Sequence, residues 1–247
     1  MNNYELEKII NKELDTHLFH DNIPNGLQVE GIKNIHKIIT GVSICEKLIN
    51  IAIKKKAQAI IVHHGFFWKN ECSKIIKNKK TRLQLILKNN INVYNWHLPL
   101  DIHPILGNNV QIANQFNINI LGQISNILLW GKFINSITVQ ELNTKIELIL
   151  QRKPLCIQHN RNNIINSIAW CSGKGQEFIK NIGDIKIDAF LTGEISEDTM
   201  HYAYENKIHF FSAGHYATEC CGIQALGQWL IKKYNLDVEF IRIDNPV

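Results

Sequence analysis

The sequence predicts an α/β fold made of two similar halves. Three observations lead there. Short apolar runs that read as buried strands alternate with amphipathic stretches that read as helices, the pattern of strands joined in parallel by crossovers. Several of these runs end in Gly, His or acidic residues. The second half of the chain then repeats the grammar of the first. With 247 residues and 45% hydrophobic content, the chain has room for one large domain or two small ones.

In the first half, Leu6, Ile9, Ile10 and Leu14 recur at helical spacing and predict a helix over 4–16. Pro24, Asn25 and Gly26 predict a turn within 21–31. A buried strand is expected over 35–43, a helix over 45–56 and a second strand over 57–62, which runs into His63-His64-Gly65. A helix near 80–89, a strand over 92–96 and the loop HLPLDIHP (97–104) follow.

In the second half, a strand over 166–171 leads into Ser172-Gly173, and a helix is expected over 176–182. A strand over 185–191 ends in Thr192-Gly193-Glu194, a helix covers 197–206, and a strand over 208–212 ends in Ala213-Gly214-His215. The stretch 108–158 between the copies holds a helix at 139–151. AQAIIVHHG lies over IDAFLTGE, and NVYNWHLPLD lies over HFFSAGHYATE. This alignment puts His97 over His215 and Asp101 over Glu219, the mark of a duplicated unit. The expected division is 1–125 and 126–247, with a metal site in the cleft between the halves.

Charge and cysteine content narrow the function classes. The net charge is +5, but the basic residues are mostly Lys scattered among Asn and Ile, so no basic patch is built and nucleic acid is not an expected partner. Lys54-Lys55-Lys56 and the run 77–80 read as solvated faces, with steering of an anionic ligand as the alternative. The cysteines at 45, 72, 156, 171, 220 and 221 form no C-x-x-C pair and match neither a disulfide framework nor a zinc ribbon. No apolar run reaches 18 residues and the N-terminus lacks a signal-peptide core, so no membrane span and a reducing cytoplasm are expected.

The chemistry gathers at the ends of the expected strands, where open α/β sheets bind their ligands. Adjacent residues on a strand face opposite ways, so His63 and His64 can address different atoms in one crevice once the chain turns at Gly65. That arrangement suits two metal ions better than one; a pair of packed or exposed histidines is the plain alternative. Asp101 follows His97 by four residues and Glu219 follows His215 by four, a spacing that puts both side chains on one helix face. Pro99 predicts that Asp101 is reached by a loop, whereas Glu219 is expected in the first turn of a helix after Tyr216. His63, His64, Asp101, His215 and Glu219 together are a donor set for Zn, Fe, Mn or Ni.

The segments PNGLQVEG (24–31), VHHGFFW (62–68), WHLPLDIHPILGNN (96–109), AWCSGKGQEFI (169–179), DAFLTGE (188–194) and GHYATE (214–219) resemble the GTP cyclohydrolase 1 type 2 homolog family, also called the NIF-three-like family. The resemblance runs over nearly the whole chain. It implies a three-layer α/β/α sandwich, a ring-shaped homohexamer, and two divalent cations per subunit held by His63, His64, Asp101, His215 and Glu219. Members are described as metal-binding proteins and as hydrolases of nucleotides. The expected function is metal-dependent hydrolysis of a nucleotide or related small anion, cyclohydrolase-like, with a non-enzymatic metal-binding scaffold as the alternative. Five ligands are few for two ions, so Glu219 is expected to bridge, with Asp101 and one of the paired histidines on one ion and His215 with the other histidine on its neighbour.

His97 is outside that ligand set and is the expected catalytic acid or base; a structural role is the alternative. Glu194 is expected to orient a ligand histidine or contact substrate, or else to cap the helix from Ser196. His103 reads as a loop-surface residue. Ser172-Gly173-Lys174-Gly175 reads as a tight turn or a phosphate cradle. Phe66, Phe67 and Trp68 read as core or as a stacking surface for a base. Cys220 and Cys221 read as packed helix residues, with thiolate ligation as the alternative.

Overall fold

The structure is a computed structural model that describes residues 1–159 and 163–247. Among the described residues, two mixed sheets are each flanked by helices, and no helix is long and apolar enough to cross a membrane. The chain divides into one compact unit of Met1–Leu106 with Gly222–Asp244, and a second of Gly107–Cys221 with Asn245–Val247. These are not the contiguous halves 1–125 and 126–247 that the alignment of motifs predicts. The C-terminal strand pairs within the first unit's sheet, a long-range pairing that local sequence does not encode.

The first unit begins with α1 (Asn3–Glu13), closed by a capping box between Asn2 and Glu5. β1 (Gly26–Val29), β2 (Lys37–Ser43), α2 (Glu46–Lys54), β3 (Ala59–His64), α3 (Lys77–Lys88), β4 (Asn92–Asn95) and α4 (Leu98–Ile102) follow. The sheet order is β1-β4-β3-β2-β11, where β11 is Asp237–Phe240. β4, β3, β2 and β11 run parallel and β1 lies antiparallel at the edge. Alternation along each strand sorts side chains into two layers. Ile39, Ile60, Val62 and Val93 pack with Leu48, Ile49 and Ala52 of α2 and Leu83 and Ile86 of α3. The next residue after Val93, Tyr94, points the other way, and its hydroxyl donates to the Asn3 carbonyl of α1 at 2.8 Å.

Asn92 locks this unit together. It is fully buried; its Oδ1 accepts from Gly31 N at 2.9 Å and Asn3 Nδ2 at 3.3 Å, and its Nδ2 donates to the carbonyls of Ile32 at 2.8 Å and Gln58 at 3.1 Å. Replacing it with Leu leaves several buried polar groups unmatched. Asn92→Leu is therefore expected to cost about 3 kcal/mol in urea unfolding; a loss well under 1 kcal/mol would remove Asn92 from this role.

The second unit contains α5 (Asn108–Phe116), β5 (Ile118–Gln123), β6 (Leu129–Thr138), α6 (Val139–Leu150), β7 (Leu155–Ile157) and β8 (Ile164–Trp170). A 3-10 turn (Gln176–Asn181), β9 (Ala189–Thr192), α7 (Glu197–Glu205), β10 (His209–Ser212) and α8 (His215–Thr218) complete it, and α9 (Cys220–Tyr234) follows. The sheet order is β5-β6-β8-β9-β10-β7, with β8, β9 and β10 parallel and the other pairings antiparallel. Alternation again makes two layers. Phe211 packs with Leu142 and Ile146 of α6, whereas its neighbour Phe210 packs with Ile179 and with Ala203 of α7.

Each unit is thus three-layered, as the family resemblance implied. Each also carries three parallel strands joined in sequence order, β2-β3-β4 and β8-β9-β10, in line with the duplication. Several local expectations are corrected. The strand expected to end before His63 runs through His64. The stretch after Trp96 is a short helix rather than a loop, because Pro99 lies in its first turn, where a missing N–H costs nothing. The helix expected over 176–182 is a 3-10 turn, and Glu219 sits between α8 and α9 rather than inside a helix's first turn.

Candidate metal centre

In the first unit, β3 delivers His63 and His64 and α4 delivers Asp101. His63 is fully buried, and its Nδ1 lies 3.0 Å from the Trp96 carbonyl oxygen. A carbonyl only accepts, so Nδ1 carries the proton and Nε2 presents the lone pair. That Nε2 lies 3.5 Å from Asp101 Oδ2, and Asp101 is itself buried. His64 pairs in register with Ser43 of β2, and its Nδ1 lies 3.0 Å from the Ser43 hydroxyl.

Although neighbours on a strand, the two imidazoles have centroids only 4.6 Å apart, tilted by 45°. The chain leaves the sheet at once through Gly65, where a Cβ would fall 2.3 Å from Gln28 Oε1 and 2.9 Å from Asn95 Cβ. The sequence suggests Gly65 for its backbone freedom; the structure requires it for want of space.

His97 precedes α4 and joins the same cluster. One ligand atom from each of His63, His64 and His97 lies within 4.8 Å of the others. The His97 Nδ1 is 2.8 Å from Asp21 Oδ1, and the other Asp21 oxygen accepts from Leu98 N at 2.9 Å and Asn25 Nδ2 at 3.2 Å. Burial pushes the Asp21 carboxyl up, but the hydrogen bond and charge of His97, with those two donors, outweigh it and hold the carboxyl below its usual value. The sequence places Asp21 and Asn25 only within a turn. Their signal, an acid 76 residues from its histidine, has no spacing to betray it.

In the second unit, α8 starts at His215 and ends against Glu219, so the four-residue spacing brings His215 Nε2 to 3.2 Å from Glu219 Oε1. Glu194, just after β9, places Oε1 2.6 Å from His215 Nδ1. Of the roles expected for Glu194, this is the orienting one; the α7 terminus is capped by Ser196 with Thr199. Burial alone would lower the His215 pKa, but the hydrogen bonds and charges of Glu219 and Glu194 override it and raise the pKa to about 9.

Gly173 forms the wall behind this pair. Its φ is +62°, and a Cβ there would lie 2.2 Å from Glu219 Oε1 and 3.2 Å from His215 Nε2. Ser172, Gly173 and Gly175 donate their backbone N–H groups to Asn109, Thr218 and Thr192 side chains. This loop is therefore not a phosphate cradle, because those donors are already engaged; it is a tight turn that leaves room for Glu219. His103 accepts from the Ile105 and Leu106 backbone and shapes its own loop. Cys220 and Cys221 hydrogen-bond to the Tyr216 carbonyl and to Gln115 as packed helix residues.

The donor set fits divalent cations. It combines imidazole nitrogen with carboxylate oxygen, the mixture suited to borderline and hard ions. His63 has its Nδ1 engaged by a carbonyl and His215 by a carboxylate, both acceptors, which turns Nε2 toward Asp101 and Glu219. The Gly173 wall gives the Glu219 carboxylate space that any larger residue would fill.

Known proteins resemble this chain over its whole length. A family model described as Duf34/NIF3 (NGG1p interacting factor 3) matches residues 1–246. A protein named GTP cyclohydrolase 1 type 2 homolog from Buchnera aphidicola subsp. Schizaphis graminum (strain Sg) is 56% identical over 246 residues, covering 100% of both chains. A solved structure described as "Structural genomics, protein ybgI, unknown function" superposes with a TM-score of 0.98 at 46% identity, covering 100% of both chains. A second, TTHA1606 from Thermus thermophilus, gives a TM-score of 0.91 at 28% identity, again over 100% of both.

Proposed function

Because the chain belongs to the Duf34/NIF3 family, we propose that it is a dinuclear metal-dependent hydrolase of a nucleotide or related small anion. His63, His64 and Asp101 from one unit and His215 and Glu219 from the other would hold two divalent cations. The observation that carries this reading is the pairing, within each unit, of an imidazole with a buried carboxylate: His63 Nε2 lies 3.5 Å from Asp101 Oδ2, and His215 Nε2 lies 3.2 Å from Glu219 Oε1. Histidines kept for packing alone need no such acidic neighbours. The nucleotide enters through the name of the Buchnera relative, and the ring homohexamer through the family resemblance.

Divalent cations bound there supply Lewis acidity, polarising a substrate oxygen and easing ionisation of water. The protein's own contribution centres on His97. Asp21 accepts from Nδ1 and so fixes the ring, leaving Nε2 as the atom that would exchange a proton with an attacking water and a leaving group. Because Asp21 also takes the Leu98 N–H, the ring is fixed relative to α4, which carries Asp101.

The test is product release from a panel of nucleotides with Mn, Zn or Fe added, against a His64→Ala control. Asp21→Asn is expected to keep the ion content while lowering kcat roughly 10²–10⁴-fold, the usual worth of an oriented acid or base. Equal background from wild type and His64→Ala would leave the metal-binding scaffold as the better reading.

A further inference from the structure

Beside the His97–Asp21 pair lies a cavity of about 640 Å³ whose lining includes His17, His20, Asp21, Asn25, Phe67 and Lys69. Its lining thus takes in Asp21 and Asn25, which engage His97 at Nδ1 and at its backbone N–H, together with an aromatic ring and a cation. Phe67 is 37% exposed and adopts φ +66°, a left-handed conformation that is a real outlier for so large a residue. The surrounding segment does not relax this strain. It is pinned on both sides, by Phe66 N donating to Gln28 Oε1 at 2.6 Å and Lys69 N donating to the Asn22 carbonyl at 2.7 Å. A strained backbone held in place by its neighbours is the pattern of a functional clamp. What it achieves is to hold a flat apolar ring at the mouth of a polar cavity. Lys79 Nζ stands 5.3 Å from the centre of that ring and pairs with Glu71 Oε2 at 3.2 Å, so it packs on the ring without adding net charge.

We propose that this cavity is the substrate subsite and that it takes a nucleoside phosphate, with the base stacked on Phe67 and the phosphates received by Lys69 and the imidazoles of His17 and His20. This rests on the hydrolase reading above and deepens it by locating the recognition of the substrate. Stacking on an exposed aromatic is tolerant of base identity and strong enough to hold a flat heterocycle. A ligand seated there meets Asp21, the residue that orients His97, the group assigned to proton transfer. Of the residues read in sequence as either core or a stacking surface, Phe66 is buried in the hydrophobic cluster and Phe67 is turned out to the cavity.

The test is calorimetric titration of metal-stripped protein with GTP and with guanosine. Phe67→Gly removes the ring while glycine adopts the positive φ without strain, so loss of folding does not confound it. Phe67→Gly is expected to weaken both ligands about tenfold, and Lys69→Ala to weaken GTP but not guanosine. Ion content by elemental analysis stays at the wild-type value in both variants. Binding of GTP by both variants at wild-type affinity, or by none of the proteins, overturns the subsite. Ions held with no GTP bound sinks this proposal alone; GTP bound by protein that takes up no ions sinks the metal reading and leaves the subsite standing.

Discussion

Glu219→Gln is expected to lose stoichiometric metal. The substitution keeps the volume of a buried side chain but removes the charge that faces His215 Nε2 at 3.2 Å. Loss of an outer hydrogen-bonding partner lowers metal affinity roughly 10–100-fold, and loss of a direct ligand is expected to exceed that. Elemental analysis of unstripped protein checks it; two ions retained at wild-type affinity would remove Glu219 from the centre.

The same variant has a second signature that needs no metal. In metal-stripped protein, Glu219 and Glu194 raise the His215 pKa from 6.5 to about 9. A histidine held above its unfolded value contributes stability that is whole below pH 6.5 and is lost as pH rises through about 9. The stripped wild type is therefore expected to lose stability across that window, with the loss moved to lower pH in Glu219→Gln. Imidazole NMR titration reads the shift directly. Because a ligand imidazole must be neutral, ion uptake at pH 7 is also expected to release a proton from His215. Calorimetry in two buffers of different ionisation enthalpy counts it.

Gly173→Ala is the second large effect. The new methyl would sit 2.2 Å from Glu219 Oε1 at a backbone φ of +62°, so either the carboxylate or the loop moves. The left-handed conformation costs an alanine about 1 kcal/mol and the overpacking about 1–3 kcal/mol more. The loop is held by Gly173 N on Thr218 Oγ1 at 3.0 Å and by Gly193 N on the Gly173 carbonyl at 2.9 Å, so the carboxylate is the part expected to yield. Metal affinity is expected to fall by at least tenfold, alongside a drop of roughly 2–4 kcal/mol in denaturant unfolding. Wild-type affinity would show that Glu219 needs no such cradle.

The family reading and the α/β class were legible because the informative residues are local in sequence. His63-His64-Gly65 ends a buried run, and the four-residue spacing from His215 to Glu219 is a helical turn that survives as α8. The antiparallel wing of β5 and β6 was not legible. It carries exposed apolar residues, with Ile134 at 74% exposure, so its pattern follows neither a buried run nor a clean alternation. β11 was missed because four residues mark it, and its partner β2 lies about two hundred residues earlier.

What the chain's order of residues determined by itself is the kind of chemistry: imidazoles and carboxylates at the ends of parallel strands, in two related copies. Only the tertiary structure decided which atom each donor presents. Asp21 reaches His97, Glu194 reaches His215, Ser43 reaches His64, and the Trp96 carbonyl reaches His63, across separations of 21 to 76 residues. Spacing along a chain encodes neighbours on one helix or strand. The orientation of a ring is set by hydrogen bonds from other strands and loops, which form only once the sheet has placed them.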